Sequence, residues 1–151
     1  MALRKAKTTE QFHEAQRAVL EPGEQVIAES LTTAGPSPWL AVGVGILVLY
    51  LLGMRIYFMV VTDRRVLFMV GTVWTGRPKG LAFAHPRSAV SISDVTPARM
   101  WSHLLYQRPE GKALRLNFHR IWREEFQGIV QALEGPGATV EHASMPPPPA
   151  P

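Results

Sequence analysis

The chain has 151 residues and carries 16 Lys and Arg against 12 Asp and Glu, a formal net charge of +4 at pH 7. It contains no cysteine, which excludes disulfide frameworks, thiolate nucleophiles and cysteine-ligated metal centres. Hydrophobic residues make up 46% of the chain and charged residues only 19%, so the chain as a whole is too apolar to be disordered. Residues 55–151 hold twelve basic and seven acidic groups, and this basic excess favours an anionic partner.

The first predicted elements are a helix and a short strand. Apolar residues recur at helical spacing within residues 8–20, which predicts an N-terminal amphipathic helix in the segment 1–21. Residues 24–31 have the composition of a strand, and the Ala-Gly-Pro-Ser-Pro sequence of residues 34–38 ends it.

The next element is an uncharged run of seventeen residues, 38–54. A helix of this length would be about 26 Å long, within the range that spans a membrane. Trp39 precedes the run's apolar centre, and Arg55 and Tyr57 follow it, in the positions of interfacial anchors. We therefore predict one apolar membrane-type helix, with a helix buried in the protein core as the alternative.

After Arg55 the apolar pattern changes to the period of β-strands. Two hairpins are predicted, one turning at Thr62-Asp63-Arg64-Arg65 and the other at residues 108–111. Two further short strands are predicted at residues 81–84 and 89–95. A closing amphipathic helix is predicted at residues 121–133, and a Pro-rich disordered tail at residues 135–151.

Several of these features resemble the bacterial pleckstrin-homology-like family, in particular its small, membrane-linked actinobacterial members. The resemblance covers residues 22–134 and is carried by three motifs and the final helix: Pro-Gly-Glu at 22–24, the strand-turn-strand unit at 57–68 and Ile-Ser-Asp-Val at 92–95. It implies a mainly β (α+β) fold, a seven-stranded bent barrel or sandwich with a C-terminal capping helix. It also implies a role in binding or assembly rather than catalysis.

The apolar run interrupts this domain and creates a topological conflict. If the strand at 24–31 belongs to the barrel, both ends of 38–54 lie on one side of a membrane, and seventeen residues are too few to cross it twice. Either the segment is re-entrant or the first strand lies outside the barrel. If the run is a single span, the positive-inside rule and the basic residues after the run place the domain in the cytoplasm, at the cell membrane.

The candidate lipid-binding residues are basic side chains close to predicted turns, together with one tryptophan. We expect Arg55, Arg64, Trp74, Arg77 and Lys79 to contact anionic head groups, since each basic residue near such a surface contributes about 1 kcal/mol. The turn residues Thr62, Asp63 and Arg65 are expected to be structural, because a turn aspartate commonly bonds backbone amides.

Other classes of function have weaker support. The five histidines lack metal-ligand spacing and no Gly-rich phosphate loop is present, so we expect neither a cofactor, a metal site nor catalytic residues. The basic excess leaves a soluble nucleic-acid-binding protein as an alternative, although no recognition signature accompanies it. An uncharacterised enzyme is a weaker alternative, which rests only on His and Ser residues without an assigned role. The sequence therefore predicts a membrane-associated binding or adaptor module whose partners are membrane lipids, with a protein partner as a further option.

Overall fold

The computed structural model describes residues 2–40, 43, 45–51, 53–72 and 78–135. The predicted sites Trp74 and Arg77 and the predicted Pro-rich tail from residue 136 onward lie outside these residues. Within the described part the fold is mainly β, as predicted. The helices are α1 (Ala2–Arg17), α2 (Ile46–Leu51) and α3 (Arg123–Glu134), and the strands are β1 (Val26–Ala34), β2 (Arg55–Thr62), β3 (Arg65–Gly71), β4 (Pro78–Pro86), β5 (Ser91–Thr96), β6 (Trp101–Gln107) and β7 (Leu114–His119).

These seven strands form one antiparallel sheet in the order β4-β3-β2-β1-β7-β6-β5. β1 pairs with β2 along its whole length but with β7 only through Thr33 and Ala34. The first strand therefore belongs to the sheet and joins its two halves, β4 to β1 and β7 to β5. This answers the question that the sequence left open about residues 24–31.

The sheet is covered on one face by α3, the predicted closing helix. Phe126 and Ile129 of α3 are buried in a core with Phe68, Leu104 and Phe118. The rings of Phe118 and Phe126 lie 5.0 Å apart. Burial of this apolar face is the main contribution that α3 makes to stability.

The opposite face of β2 and β3 is covered by α1. Phe12 stacks on Phe58 with ring centroids 4.9 Å apart, and Val60, Leu67 and Met69 complete this second cluster. The central strands are thus buried on both faces, which explains why β2 and β3 read as continuous apolar runs rather than as alternating ones.

The prediction of one apolar membrane-type helix over 38–54 is wrong. Gly45 has φ +80°, a left-handed conformation that ends a right-handed helix, and Gly53 has φ +94°. The described helix between them is α2, which has six residues and a length of about 9 Å at ~1.5 Å per residue. Throughout the part of the chain that the structure describes, no helix is both long and apolar enough to span a membrane.

Candidate functional site

The connection between β1 and β2, residues 35–54, is uncharged over its full length, and we call it the apolar insertion. Five of its large apolar side chains are exposed to solvent. They are Trp39 (60% exposed), Leu40 (50%), Leu47 (64%), Val48 (39%) and Leu51 (76%). A group of exposed apolar side chains in one uncharged segment is typical of a surface that contacts a partner or a membrane.

The two ends of the apolar insertion are fixed side by side in the sheet. Ala34 at the end of β1 is the direct antiparallel partner of Arg55 at the start of β2. Gly35 has φ +130°, and a Cβ there would lie 3.1 Å from the Cα of Met54, which is buried. This close backbone approach means that the insertion leaves and re-enters the domain at one point of the sheet edge.

Asn117 of β7 fastens the start of the insertion. Its Nδ2 lies 3.2 Å from the carbonyl oxygen of Thr33 and 3.4 Å from those of Gly35 and Pro36, within hydrogen-bond distance of all three. Its Oδ1 accepts from Nε of Arg115 at 3.2 Å. Asn117 is 1% exposed, so this buried amide has its hydrogen-bonding capacity used at the base of the insertion.

The same edge of the sheet collects positive charge. Gly71 pairs with both Ile56 and Pro78, so the β3–β4 connection begins and ends beside the base of the insertion. Gly35 donates its N–H to the carbonyl oxygen of Arg115, which places the β6–β7 turn at this edge as well. Among the residues that the structure describes, five basic residues and one acidic residue, Glu110, lie in or beside these connections; the basic ones are Arg55, Lys79, Arg108, Lys112 and Arg115.

The structure brings together only part of the predicted lipid-binding set. Arg55 and Lys79 are exposed and lie at the edge with the apolar insertion. Arg64 lies in the β2–β3 turn, roughly 25 Å from Arg55 along β2 at ~3.3 Å per residue, and is close to Glu21 and Asp63. Arg64 therefore lies at the opposite end of β2 from Arg55, although both belong to the predicted lipid-binding set.

The two aromatic residues predicted as membrane anchors, Trp39 and Tyr57, have different environments. Trp39 is largely exposed and belongs to the apolar insertion. Tyr57 is half-buried and packs edge-on against Phe68 and Phe83, with ring centroids 5.8 and 5.5 Å away. The ring of Tyr57 thus contributes to the core beneath α3.

The turn residues Thr62, Asp63 and Arg65 form a structural junction with Glu24. Arg65 makes two hydrogen bonds to the Glu24 carboxylate, each of 2.9 Å, and Thr62 Oγ1 donates to the same carboxylate at 2.7 Å. Asp63 and Gln25 exchange backbone N–H bonds, Gln25 donating to Asp63 Oδ1 and Asp63 to the Gln25 carbonyl oxygen, both at 3.0 Å. The turn is thereby joined to the segment between α1 and β1.

The hydrogen bonds of this junction stabilise the ionised form of the Glu24 carboxylate. Its side chain is fully buried, and the hydrogen bonds from Arg65 lower its pKa from 4.5 to about 2 despite the opposing effect of burial. Arg65 also donates to the carbonyl oxygen of Val19 at 3.1 Å, so one guanidinium connects the segment that follows α1, the Pro-Gly-Glu segment and the hairpin.

Sequence reasoning did not identify Asn117 and Arg115 as part of the site. Both alternate with apolar residues in β7 and read as ordinary polar positions of an amphipathic strand. Only the pairing of β7 with the last residues of β1 brings them to the apolar insertion. That contact is remote in sequence, and no local pattern encodes it.

A comparison with models of known protein families found no match, and neither did a comparison with curated protein sequences.

Proposed function

We propose that this protein is a membrane-associated binding module that places its apolar insertion into one leaflet of an anionic membrane. The observation that carries the proposal is the exposure of Trp39, Leu40, Leu47, Val48 and Leu51 in a segment without charge. Moving such side chains from water into hydrocarbon is favourable by about 1.5–3 kcal/mol each when burial is complete.

The pairing of Ala34 with Arg55 limits how the apolar insertion can enter a membrane. A segment whose ends are neighbours in one sheet approaches and leaves the bilayer from the same side. The twenty residues of the insertion are too few for two crossings of about 17–25 residues each. A shallow position, with α2 near the boundary between head groups and acyl chains, satisfies both constraints.

The basic residues supply a second contribution to binding. A single apolar anchor usually gives weak and reversible membrane attachment, so stable attachment needs a further signal such as a polybasic patch. Basic side chains at the edge that carries the apolar insertion, including Arg55 and Lys79, provide that signal for anionic lipids. Because anionic lipid is concentrated in the cytoplasmic leaflet, we place the domain on the cytoplasmic side of the cell membrane.

The resemblance to the pleckstrin-homology-like family is part of this proposal. Support comes from the seven antiparallel strands, the C-terminal helix over one face, and the junction between Pro-Gly-Glu and Thr-Asp-Arg-Arg. The role that we infer is binding or scaffolding rather than catalysis, with a protein partner recruited by the surfaces that the membrane leaves free.

Flotation of the full chain with vesicles tests the proposal. We expect the protein to float with vesicles of equal parts phosphatidylcholine and phosphatidylglycerol, and more weakly with phosphatidylcholine alone. Raising the salt from about 0.1 M to about 1 M shortens the Debye length from about 10 Å to about 3 Å, so it should remove the preference for anionic vesicles while residual apolar binding persists. A folded protein that stays in solution with both kinds of vesicle would refute the proposal, and salt-sensitive retention on nucleic acid would then favour the alternative function.

A further inference from the structure

Arg115 is one of the basic residues at the sheet edge that carries the apolar insertion, and it lies beside the start of the insertion. Its backbone carbonyl oxygen accepts the N–H of Gly35 at 3.1 Å, so the residue adjoins the first residue of the apolar insertion. Its side chain is half-buried, and Nε donates to Asn117 Oδ1 at 3.2 Å. A long and otherwise mobile side chain is thus fixed at the point where the insertion leaves the sheet.

Only the inner nitrogen of this guanidinium is used in that contact. No salt bridge to Arg115 is found within the described ranges, whereas Arg65 is paired with carboxylates. The guanidinium of neighbouring Arg108 donates twice to the carbonyl oxygen of Lys112 and shapes its own turn. Arg115 therefore retains donors in the planar arrangement that suits the oxygens of a phosphate.

We propose that Arg115, oriented by Asn117, binds the phosphate of an anionic phospholipid at the base of the apolar insertion. The inference rests on the proposed membrane function and names the side chain that gives it a preference for anionic lipid. Asn117 is a positioning residue, because one amide holds both the first residues of the insertion and the Arg115 guanidinium. Head-group binding and placement of the insertion are coupled through this amide.

The test is a vesicle titration of the full chain with three variants, Arg115→Gln, Arg115→Lys and Arg120→Gln. Arg120 is exposed and follows the opposite end of β7, so Arg120→Gln is a control with the same change of net charge. On mixed phosphatidylcholine and phosphatidylglycerol vesicles we expect Arg115→Gln to bind about fivefold more weakly, the factor that corresponds to about 1 kcal/mol. Arg115→Lys should recover part of this loss, since it keeps the charge without the fork.

On vesicles of phosphatidylcholine alone, Arg115→Gln should bind as the wild type does. Equal binding of Arg115→Gln and Arg120→Gln to the anionic vesicles would overturn the assignment of Arg115 and leave the proposed function intact. Failure of the wild type to bind either vesicle would overturn both. Thermal stabilisation by inorganic phosphate without vesicles, present in the wild type and absent in Arg115→Gln, would indicate a site for free phosphate and overturn the lipid assignment. Unchanged circular dichroism and melting temperature establish that each variant is folded.

Discussion

Ala34 and Arg55 are direct partners in the antiparallel pair of β1 and β2, although twenty residues of chain separate them. As a consequence, both ends of the apolar insertion are fixed at one place on the sheet edge. Gly35, at φ +130°, allows the backbones of Gly35 and Met54 to approach each other closely at this place. The insertion is therefore joined to the folded domain at one place, where β1 ends and β2 begins.

The first prediction concerns Leu47, which is 64% exposed. Leu47→Arg should leave the fold intact, because surface substitutions usually change the free energy of unfolding by less than about 0.5 kcal/mol. It should weaken vesicle binding by at least about tenfold, because it removes about 1.5–3 kcal/mol of apolar transfer and adds a charge that must remain in water. Vesicle sedimentation and urea denaturation measure the two effects.

The matched control for that variant is Ile27→Arg. Ile27 is 49% exposed but lies at the start of β1, at the end of the strand opposite the apolar insertion. This variant should bind vesicles at least as well as the wild type. Equal losses in Leu47→Arg and Ile27→Arg would mean that the apolar insertion has no special part in binding.

The second prediction separates the two groups of basic residues. Lys79 lies at the edge with the apolar insertion, whereas Arg64 lies at the other end of β2 and β3. Lys79→Gln should weaken binding to anionic vesicles by about fivefold, and Arg64→Gln should leave it unchanged. Both variants remove one positive charge, so titration of vesicle binding at constant salt compares them directly. A larger loss in Arg64→Gln would place the membrane at the opposite edge.

The sequence was informative wherever a local pattern determined the structure. β-Branched and aromatic runs on both sides of residues 62–65 predicted the first hairpin, and alternating residues after the turn at 108–111 predicted the second. Helical spacing predicted α3. The same approach failed at residues 38–54, because hydropathy records that the residues are apolar but not that Gly45 adopts a positive φ. Pairing across the insertion is also invisible to a local pattern, since β1 and β2 are joined by non-local hydrogen bonds.

The sequence predicted only part of the candidate site, because contacts between residues far apart in sequence leave no local pattern. Arg55 and Arg64 are nine positions apart and appear as neighbours in a list of basic residues, yet a strand between them puts them at opposite edges. Trp39 was found because a tryptophan beside an uncharged run is a local feature. Asn117 and Arg115 were missed because their role depends on the contact between β7 and the end of β1.

The third prediction follows from the lowered pKa of Glu24. The folded state favours the ionised carboxylate, with a pKa of about 2 against 4.5, so the stabilisation from Glu24 is complete above pH 4.5 and is lost as the pH falls toward about 2. Glu24→Gln should destabilise the protein at neutral pH by up to about 3–5 kcal/mol, the range for breaking a buried pair. The partial exposure of Arg65 places the value toward the lower end.

Urea denaturation at a series of pH values tests that linkage. The difference in the free energy of unfolding between the wild type and Glu24→Gln should shrink as the pH is lowered from about 4.5 to about 2. A difference that stays constant through this interval would show that the ionisation of Glu24 is not coupled to folding.

The fourth prediction tests the packing of α3 on the sheet. Phe126 is 3% exposed and contacts Phe118, and Trp122 at the start of the helix is 8% exposed. Replacing either by alanine should lower the free energy of unfolding by about 3–5 kcal/mol. Gln127→Ala, at an exposed position of the same helix, is the control and should have little effect. Melting temperatures unchanged by both aromatic substitutions would mean that α3 is not part of the core.

The depth of Leu51 on a vesicle is the most direct measure of whether the apolar insertion enters a membrane. The chain has no cysteine, so Leu51→Cys and Ile27→Cys each provide one position for a nitroxide spin label, and both side chains are exposed. On anionic vesicles, electron paramagnetic resonance should show that the label at residue 51 gains collisions with oxygen and loses collisions with a water-soluble nickel chelate, while the label at residue 27 remains in water. A label at residue 51 that stays fully accessible to the nickel chelate on vesicle-bound protein would contradict the account.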